Sequence, residues 1–154
     1  MSGEYLVGID SGTQNVRVII FDAQGNIISE GSANHEPPFC EQTGWAEQHP
    51  EDLWGKFCEA SWEAMSALPA PRSSLAAVGL AAQKAALVAI DQQGIPLRPA
   101  FSWMDQRVVD SPVPIPGLSA QLEAAQRASK ASWMRTHQPE LYRRTHKFLT
   151  ASGW

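Results

Sequence analysis

The stretch Tyr5-Leu-Val-Gly-Ile-Asp-Ser-Gly-Thr-Gln-Asn-Val-Arg-Val-Ile-Ile-Phe-Asp22 constrains this chain more than any other. Tyr5–Ile9 is a short apolar run of strand formers, and alternation resumes from Val16 to Phe21. Two such runs around a polar turn predict a β-hairpin. The turn opens with Asp10 at a strand end and continues as Ser11-Gly12-Thr13. Two readings fit those residues. Asp and Gly can serve only the chain reversal. Alternatively, the N–H groups, hydroxyl and amides can hold phosphate oxygens while the carboxylate holds a hydrated Mg2+. The G-x-x-x-x-G-K-[ST] loop is excluded, because neither a helix nor a lysine follows.

Downstream, Asp22-Ala-Gln-Gly-Asn26 predicts a turn into a third strand, Ile27 to Ala33, completing an antiparallel meander. Pro37, Pro38 and Gly44 mark an irregular loop. A helix follows, with Pro50 in its first turn and Glu51 and Asp52 beside its positive end. Its expected core face is Leu53, Trp54, Phe57, Cys58, Ser61, Ala64, Met65 and Leu68. Pro69 and Pro71 stop it. Leu75–Ala82, continuous and small-residued, predicts an inner strand covered on both faces. Ala85–Ile90 and Leu97–Trp103 are expected to pair around the turn Asp91-Gln-Gln-Gly94. The order β-β-β-α-β suits a ribonuclease-H-like α/β layer and not a doubly wound nucleotide fold, which would start β-α-β. The expected division is a sheet-and-helix layer over 1–107, a proline-rich connection over 108–117 and a helical segment over 118–154.

Bulk composition excludes several classes. With 44% apolar and 18% charged residues, 154 residues suffice for a domain with a real core. Twelve Lys and Arg against 16 Asp and Glu give a net charge of −4, with no basic block, so neither nucleic acid nor an anionic membrane is expected as a partner. Two cysteines, Cys40 and Cys58, make no disulfide framework. The chain opens without a signal-peptide pattern, and no run reaches the roughly 18 apolar residues of a membrane span. A cytoplasmic setting is the expectation. His35, His49, His137 and His146 lack metal-type spacing.

The longer string Gly8-Ile-Asp-Ser-Gly-Thr-x-x-x-Arg17 resembles the first phosphate motif of the sugar kinase, heat-shock chaperone and actin ATPase superfamily. Together with Gly44–Trp54, Val78–Asp91 and Ser102–Arg107, in order, it resembles the N-terminal domain of the FGGY carbohydrate kinases. A weaker match runs from Trp133 through Pro139 and Tyr142 to Lys147-Phe-Leu. The resemblance implies ATP and Mg2+ as cofactors, with a small sugar, polyol or sugar acid as substrate. It implies that Asp10 holds Mg2+ through water and that Gly12, Thr13, Gln14 and Asn15 line the γ-phosphate pocket. Arg17 would steady the transferred phosphoryl group; without the resemblance it reads as a solvated strand residue. Gln83 and Lys84 fall where the family contacts its sugar, although Lys84 alone reads as a surface lysine. Trp103, Asp105 and Arg107 fall where the family's W-x-D-x-R segment borders the sugar pocket. Trp103 could stack on the sugar, and Asp105 and Arg107 could bind hydroxyls or pair with each other. Trp45-Ala-Glu-Gln48 reads as structural, anchoring the first helix.

Departures from the family pattern qualify this expectation. Lys84-Ala85 replaces the Met-His of xylulose kinases and the Arg-Glu of glycerol kinases, so no sugar is named and glycerol is disfavoured. The family's catalytic base, an Asp in a downstream glycine-rich segment, and its adenosine motifs have no counterpart here. The expectation is therefore the first part of an N-terminal domain, with no catalytic residue and no turnover by itself. The whole protein would be a kinase, with a homodimer compatible. A non-catalytic remnant or interaction module is the alternative, and a chaperone- or actin-like ATPase leaves the Trp103–Arg107 segment unexplained.

Overall fold

A computed structural model describes residues 4–84, 86–112 and 114–154. They form two compact units, one from residues 4–37 with 49–84 and the other from residues 38–48 with 86–112 and 114–154.

The first unit is built on β1 (Tyr5–Ser11), β2 (Asn15–Asp22) and β3 (Ile27–Asn34), the expected antiparallel meander. After α1 (Pro50–Ser66) and a short 3-10 turn at Arg72–Ser74, β5 (Leu75–Ala82) pairs parallel with β1, giving the order β3-β2-β1-β5. Alternation in β2 buries Val16, Val18 and Ile20 while Asn15 and Arg17 stay exposed. Val7, Ala33, Ala60 and Ala64 complete that core. Each buried Val or Ile contributes about 1.5–3 kcal/mol, which makes this face the principal stabilising term. Asp22 accepts the N–H groups of Gln24 and Asn26, and Gly25 takes φ 85°, so the predicted turn is an Asx turn closed by glycine.

Gly31 sets how closely the helix lies on the sheet. A Cβ placed there would stand 2.2 Å from the Ala60 carbonyl oxygen and 2.8 Å from the Ala64 nitrogen. This close approach corrects the expected helix face. Leu53, Ala60 and Ala64 are buried, with Phe57, Met65 and Leu68 packed beside them, whereas Trp54 and Cys58 are exposed. Small residues face the backbone of β3, which rotates Trp54 outward, tilted on Phe57 at 5.3 Å.

The expectation for Leu75–Ala82 is also corrected. The strand forms, but at the sheet edge, with Ala76 to Ala81 exposed and Val78 at 63%. Helix α1 packs on β2 and β3 and leaves β5 uncovered within this unit.

The second unit, which takes Pro38–Gln48 from within the expected 1–107 layer as well as the residues that follow Lys84, has its own sheet. Its order is β4 (Glu47–Gln48), β7 (Ala100–Phe101), β6 (Leu87–Ile90), β8 (Lys147–Thr150), all neighbours antiparallel. The hairpin around Asp91–Gly94 is present: Asp91 and Leu97 N–H donate to Ile95 and Ala89 carbonyls, and Leu87 sits opposite Phe101. Strand β8 adds to its other side and ends the expected helical segment. That segment holds α2 (Ala120–Ala128), α3 (Lys130–His137) and α4 (Pro139–Arg144). Ser129 breaks α2 from α3 by accepting the Ser132 N–H as the cap of the second helix. Ala89, Phe101, Val109, Trp133 and Met134 form the core. Ala85 and Val113, one in the expected hairpin and one in the proline-rich connection, lie outside the described residues.

Two stability predictions arise from the first unit. Gly31→Ala forces α1 off β3 and should cost about 3 kcal/mol, read as a lower urea midpoint. The second concerns His35, whose buried ring nitrogens have no hydrogen-bond partner among the described residues and whose Nδ1 lies 3.8 Å from Asp52. Burial lowers its pKa from the ordinary 6.5, Asp52 opposes this and Lys56 reinforces it. A depressed base is neutral in the fold and takes its proton first in the unfolded chain. Stability should therefore be full above about pH 6.5 and fall below it, by at most about 1.4 kcal/mol per pH unit. Melting curves from pH 7.5 to 5.5 should show the decline, and His35→Phe should flatten it.

Candidate functional site

The first group of predicted residues gathers where β1 and β5 end together. Antiparallel register sets Asp10 opposite Arg17 and Ser11 opposite Val16. The reversal is closed by Gly12 N–H donating to the Asn15 carbonyl at 2.9 Å. A Cβ on Gly12 would meet that same carbonyl oxygen at 3.4 Å, an ordinary van der Waals contact. Two neighbours brace the turn: His35 N–H donates to the Gln14 carbonyl and Gln83 N–H to the Ser11 carbonyl, both at 2.9 Å. Thr13 Oγ1 donates to Gln83 Oε1 at 3.2 Å, joining the phosphate-turn candidate to the first sugar-contact candidate. Lys84 follows, exposed.

Asp10, Gln14, Asn15 and Arg17 are exposed, and Gly12 and Thr13 are partly so. No ion pair joins Asp10 to Arg17 among the described residues, although they are register partners. A shallow hollow of about 410 Å3 is lined by Gly8, Ile19, Phe21 and Gly79 together with Asp10 and Arg17. The turn therefore offers one exposed carboxylate and one exposed guanidinium on a rigid strand pair. No cluster of three or more metal-type side chains occurs among the described residues. A lone carboxylate fits Mg2+ held through water and substrate phosphates and does not fit an all-protein cage.

The second group lies in the other unit, on the segment leaving β7. Ser102 N–H donates to the Ala46 carbonyl at 2.9 Å, Asp105 N–H to the Ser102 carbonyl at 3.1 Å and Gln106 N–H to the Gly44 carbonyl at 2.8 Å. Trp103 stands out from this loop, 56% exposed. Asp105 and Arg107 are buried and bound to each other: Arg107 Nε lies 2.9–3.0 Å from both carboxylate oxygens and Nη2 lies 2.5 Å from Oδ2. Of the two roles open to them in the sequence, the structure displays the mutual pair. Asp105 Oδ2 also accepts the Ala46 N–H at 2.9 Å. Burial pushes the Asp105 carboxyl up, but bonds from the Arg107 guanidinium, Ala46 N–H and Arg107 N–H outweigh it and hold the group below its ordinary range. Its contribution is present above about pH 3.9 and lost as acid protonates it in the fold.

Glu47 and Arg98 complete this cluster, and the sequence did not single them out. Glu47 Oε1 accepts from Arg107 Nη2 at 2.5 Å and from Arg98 Nη2. The Arg107 guanidinium lies 4.1 Å from the Trp45 ring, 4.4 Å from Phe101 and 4.7 Å from Trp133. The stretch Trp45–Gln48, read as an anchor for the first helix, instead supplies β4 and one wall of this cluster. An acidic residue beside tryptophan was the available signal, but its partners are 51 and 60 residues away.

The model of the N-terminal domain of the FGGY family of carbohydrate kinases matches residues 5–112, and the chain belongs to that family. It is 32% identical over 108 residues to the uncharacterized sugar kinase YgcE of Escherichia coli K12, covering 70% of this chain and 22% of that protein. It is 39% identical over 105 residues to a glycerol kinase of Leifsonia xyli, covering 68% and 21%. The chain thus spans about a fifth of the length of these curated relatives. Among solved structures, a xylulose kinase from Rhodospirillum rubrum superposes with TM-score 0.78 at 18% identity, over 97% of this chain and 32% of that one. A glycerol kinase from Plasmodium falciparum with ADP gives 0.71 at 22%, over 92% and 30%. These structures establish the ribonuclease-H-like α/β fold.

Arg107→Met removes the guanidinium that neutralises Asp105 and Glu47 in a dry environment. The expected cost is about 3–5 kcal/mol, measured as a fall in the urea midpoint at pH 7.

Proposed function

We propose that this chain supplies the phosphate-holding turn and part of the sugar-contacting surface of an ATP-dependent kinase that phosphorylates a hydroxyl of a small sugar, polyol or sugar acid. The observation that carries the proposal is the register placing Asp10 opposite Arg17 at the mouth of a glycine turn, in a chain of the FGGY family. Phosphoryl transfer asks a protein mainly for positioning and charge neutralisation, and this arrangement provides both signs of charge on a fixed frame. Asp10 would hold the metal through its water ligands, as an exposed lone carboxylate can. Gly12 leaves room for an approaching phosphate, the side-chain amides of Gln14 and Asn15 offer donors to its oxygens, and Thr13 joins them by exchanging its bond to Gln83 for one to phosphate. Arg17 presents a planar fork that matches a phosphoryl group better than a point charge does. Mg2+ bound beside Asp10 would neutralise charge on the phosphate oxygens.

Gln83, tied to Thr13 and Ser11, and Lys84 read substrate hydroxyls in this proposal. Trp103 offers its exposed face to the sugar, and the Asp105–Arg107 pair holds the segment that carries it. The general base and the adenosine site come from polypeptide beyond the fifth of family length matched here, so these 154 residues turn over no sugar by themselves. Glycerol-kinase relatives argue for including glycerol among the candidates, while Lys84 argues against its having the same hydroxyl readers.

ADP release from the longest natural form of the protein, across ketoses, aldoses, polyols including glycerol and sugar acids, tests this proposal. One sugar should stimulate release, and Asp10→Ala should reduce it by at least about a hundredfold while leaving the melting temperature unchanged. No sugar-dependent release from any member of the panel would replace the kinase by the non-catalytic reading. Turnover by the 154 residues alone would show that the base lies within them.

A further inference from the structure

Lys130 is the first residue of α3 and lies beyond the segment that matches the family. Its ammonium meets three acceptors, the Arg107 carbonyl at 2.6 Å, the Asp105 carbonyl at 2.8 Å and Asp105 Oδ1 at 3.2 Å. An ammonium has three N–H donors, so each has an acceptor, and two of them are spent on the backbone of the loop that bears Trp103. The other end of that loop is held at Ser102 by the Ala46 carbonyl. Trp103 and Met104 are the exposed residues between these fixed points. We propose that Lys130 is a positioning residue for the Trp103 sugar platform, an assignment that rests on the kinase reading for its purpose but on these contacts for its geometry.

Charge balance separates this role from general stability. The cluster holds Arg98, Arg107 and Lys130 against Glu47 and Asp105. Removing Lys130 leaves two cations facing two carboxylates, and the bonds between Arg107, Asp105 and Glu47 do not involve it. What is lost is the tether on two carbonyls together with the contact to Asp105 Oδ1, whose carboxylate keeps its bonds from Arg107 and the Ala46 N–H. The result is local loosening of the loop, without collapse of the unit.

Amide hydrogen exchange on the natural protein, for Lys130→Met and Lys130→Arg, tests the assignment. In Lys130→Met the amides of Asp105 and Gln106 should exchange on the order of tenfold faster, while those of β6 and β8 keep their rates. Lys130→Arg, which keeps the charge but spreads its donors over a fork, should fall between. With the sugar found by the ADP-release panel, the methionine variant should raise KM severalfold at unchanged kcat. Unchanged loop exchange, or equal acceleration throughout the second unit, overturns the positioning role. Loosening with unaltered KM overturns its connection to the sugar. A protein that loosens as expected but never turns over a sugar refutes the kinase reading and leaves the tether established.

Discussion

Register in the first sheet is the constraint on which the site depends. Burial of Val16, Val18 and Ile20 under α1 permits one alignment of β2 against β1, because a slip of one residue would turn all three into water. That alignment places Asp10 opposite Arg17 and closes the reversal at Gly12. The parallel pairing of β5 then sets Ala82 beside Ser11, which brings the Gln83 N–H to the Ser11 carbonyl. The polar end residues are thus held by apolar packing some distance away. They need no bonds to one another to stay in place, and so Asp10 and Arg17 can keep their charges exposed. Gly31 enters the same chain of dependence, since only its missing Cβ lets the helix lie close enough to cover those residues.

The second unit solves its packing differently. Its centre is a guanidinium enclosed by three aromatic rings and two carboxylates. Burying such charges carries a desolvation cost that their attraction offsets only when geometry is good, so the cluster is poor evidence for extra stability. Its physical consequence is directional. Each bond has a defined donor and acceptor, and together they fix β4, β7 and the segment after β7 in one arrangement. An apolar core of equal volume would leave the loop bearing Trp103 freer to slide. Asp105 serves this purpose with both carboxylate oxygens and Arg107 with Nε and Nη2, which leaves Trp103 as the exposed member of the motif.

Much of the fold was legible because it is local. Alternation gave the meander, Asp-x-x-Gly gave both Asx turns, and Pro50 with Glu51 and Asp52 marked the start of α1. The residues missed owe their roles to distant partners. Leu75–Ala82 has the composition of a buried strand, but composition states only what burial would favour. The covering is decided by α1, which lies over β2 and β3. Trp54 satisfies a helical period yet faces outward, since contact at Gly31 selects Ala60 and Ala64. Glu47 and Arg98 are two charged letters 51 residues apart, and nothing in their spacing links them. At the site, the Asp10 turn was readable because its residues are consecutive, whereas the choice between hydroxyl contact and mutual pairing for Asp105 and Arg107 needed coordinates.

Substrate identity turns on how the phosphate end and the sugar end of such a site are coupled. Gln83 is bound by its backbone to Ser11 and by its side chain to Thr13, so altering it would disturb the turn. Lys84 has the opposite character. It is exposed and follows the last residue braced against the turn, so under the proposed function its replacement would change hydroxyl recognition without moving Asp10 or Arg17. Identity of 39% over 105 residues to a glycerol kinase leaves most matched positions different, so under the proposed function it is compatible with another polyol.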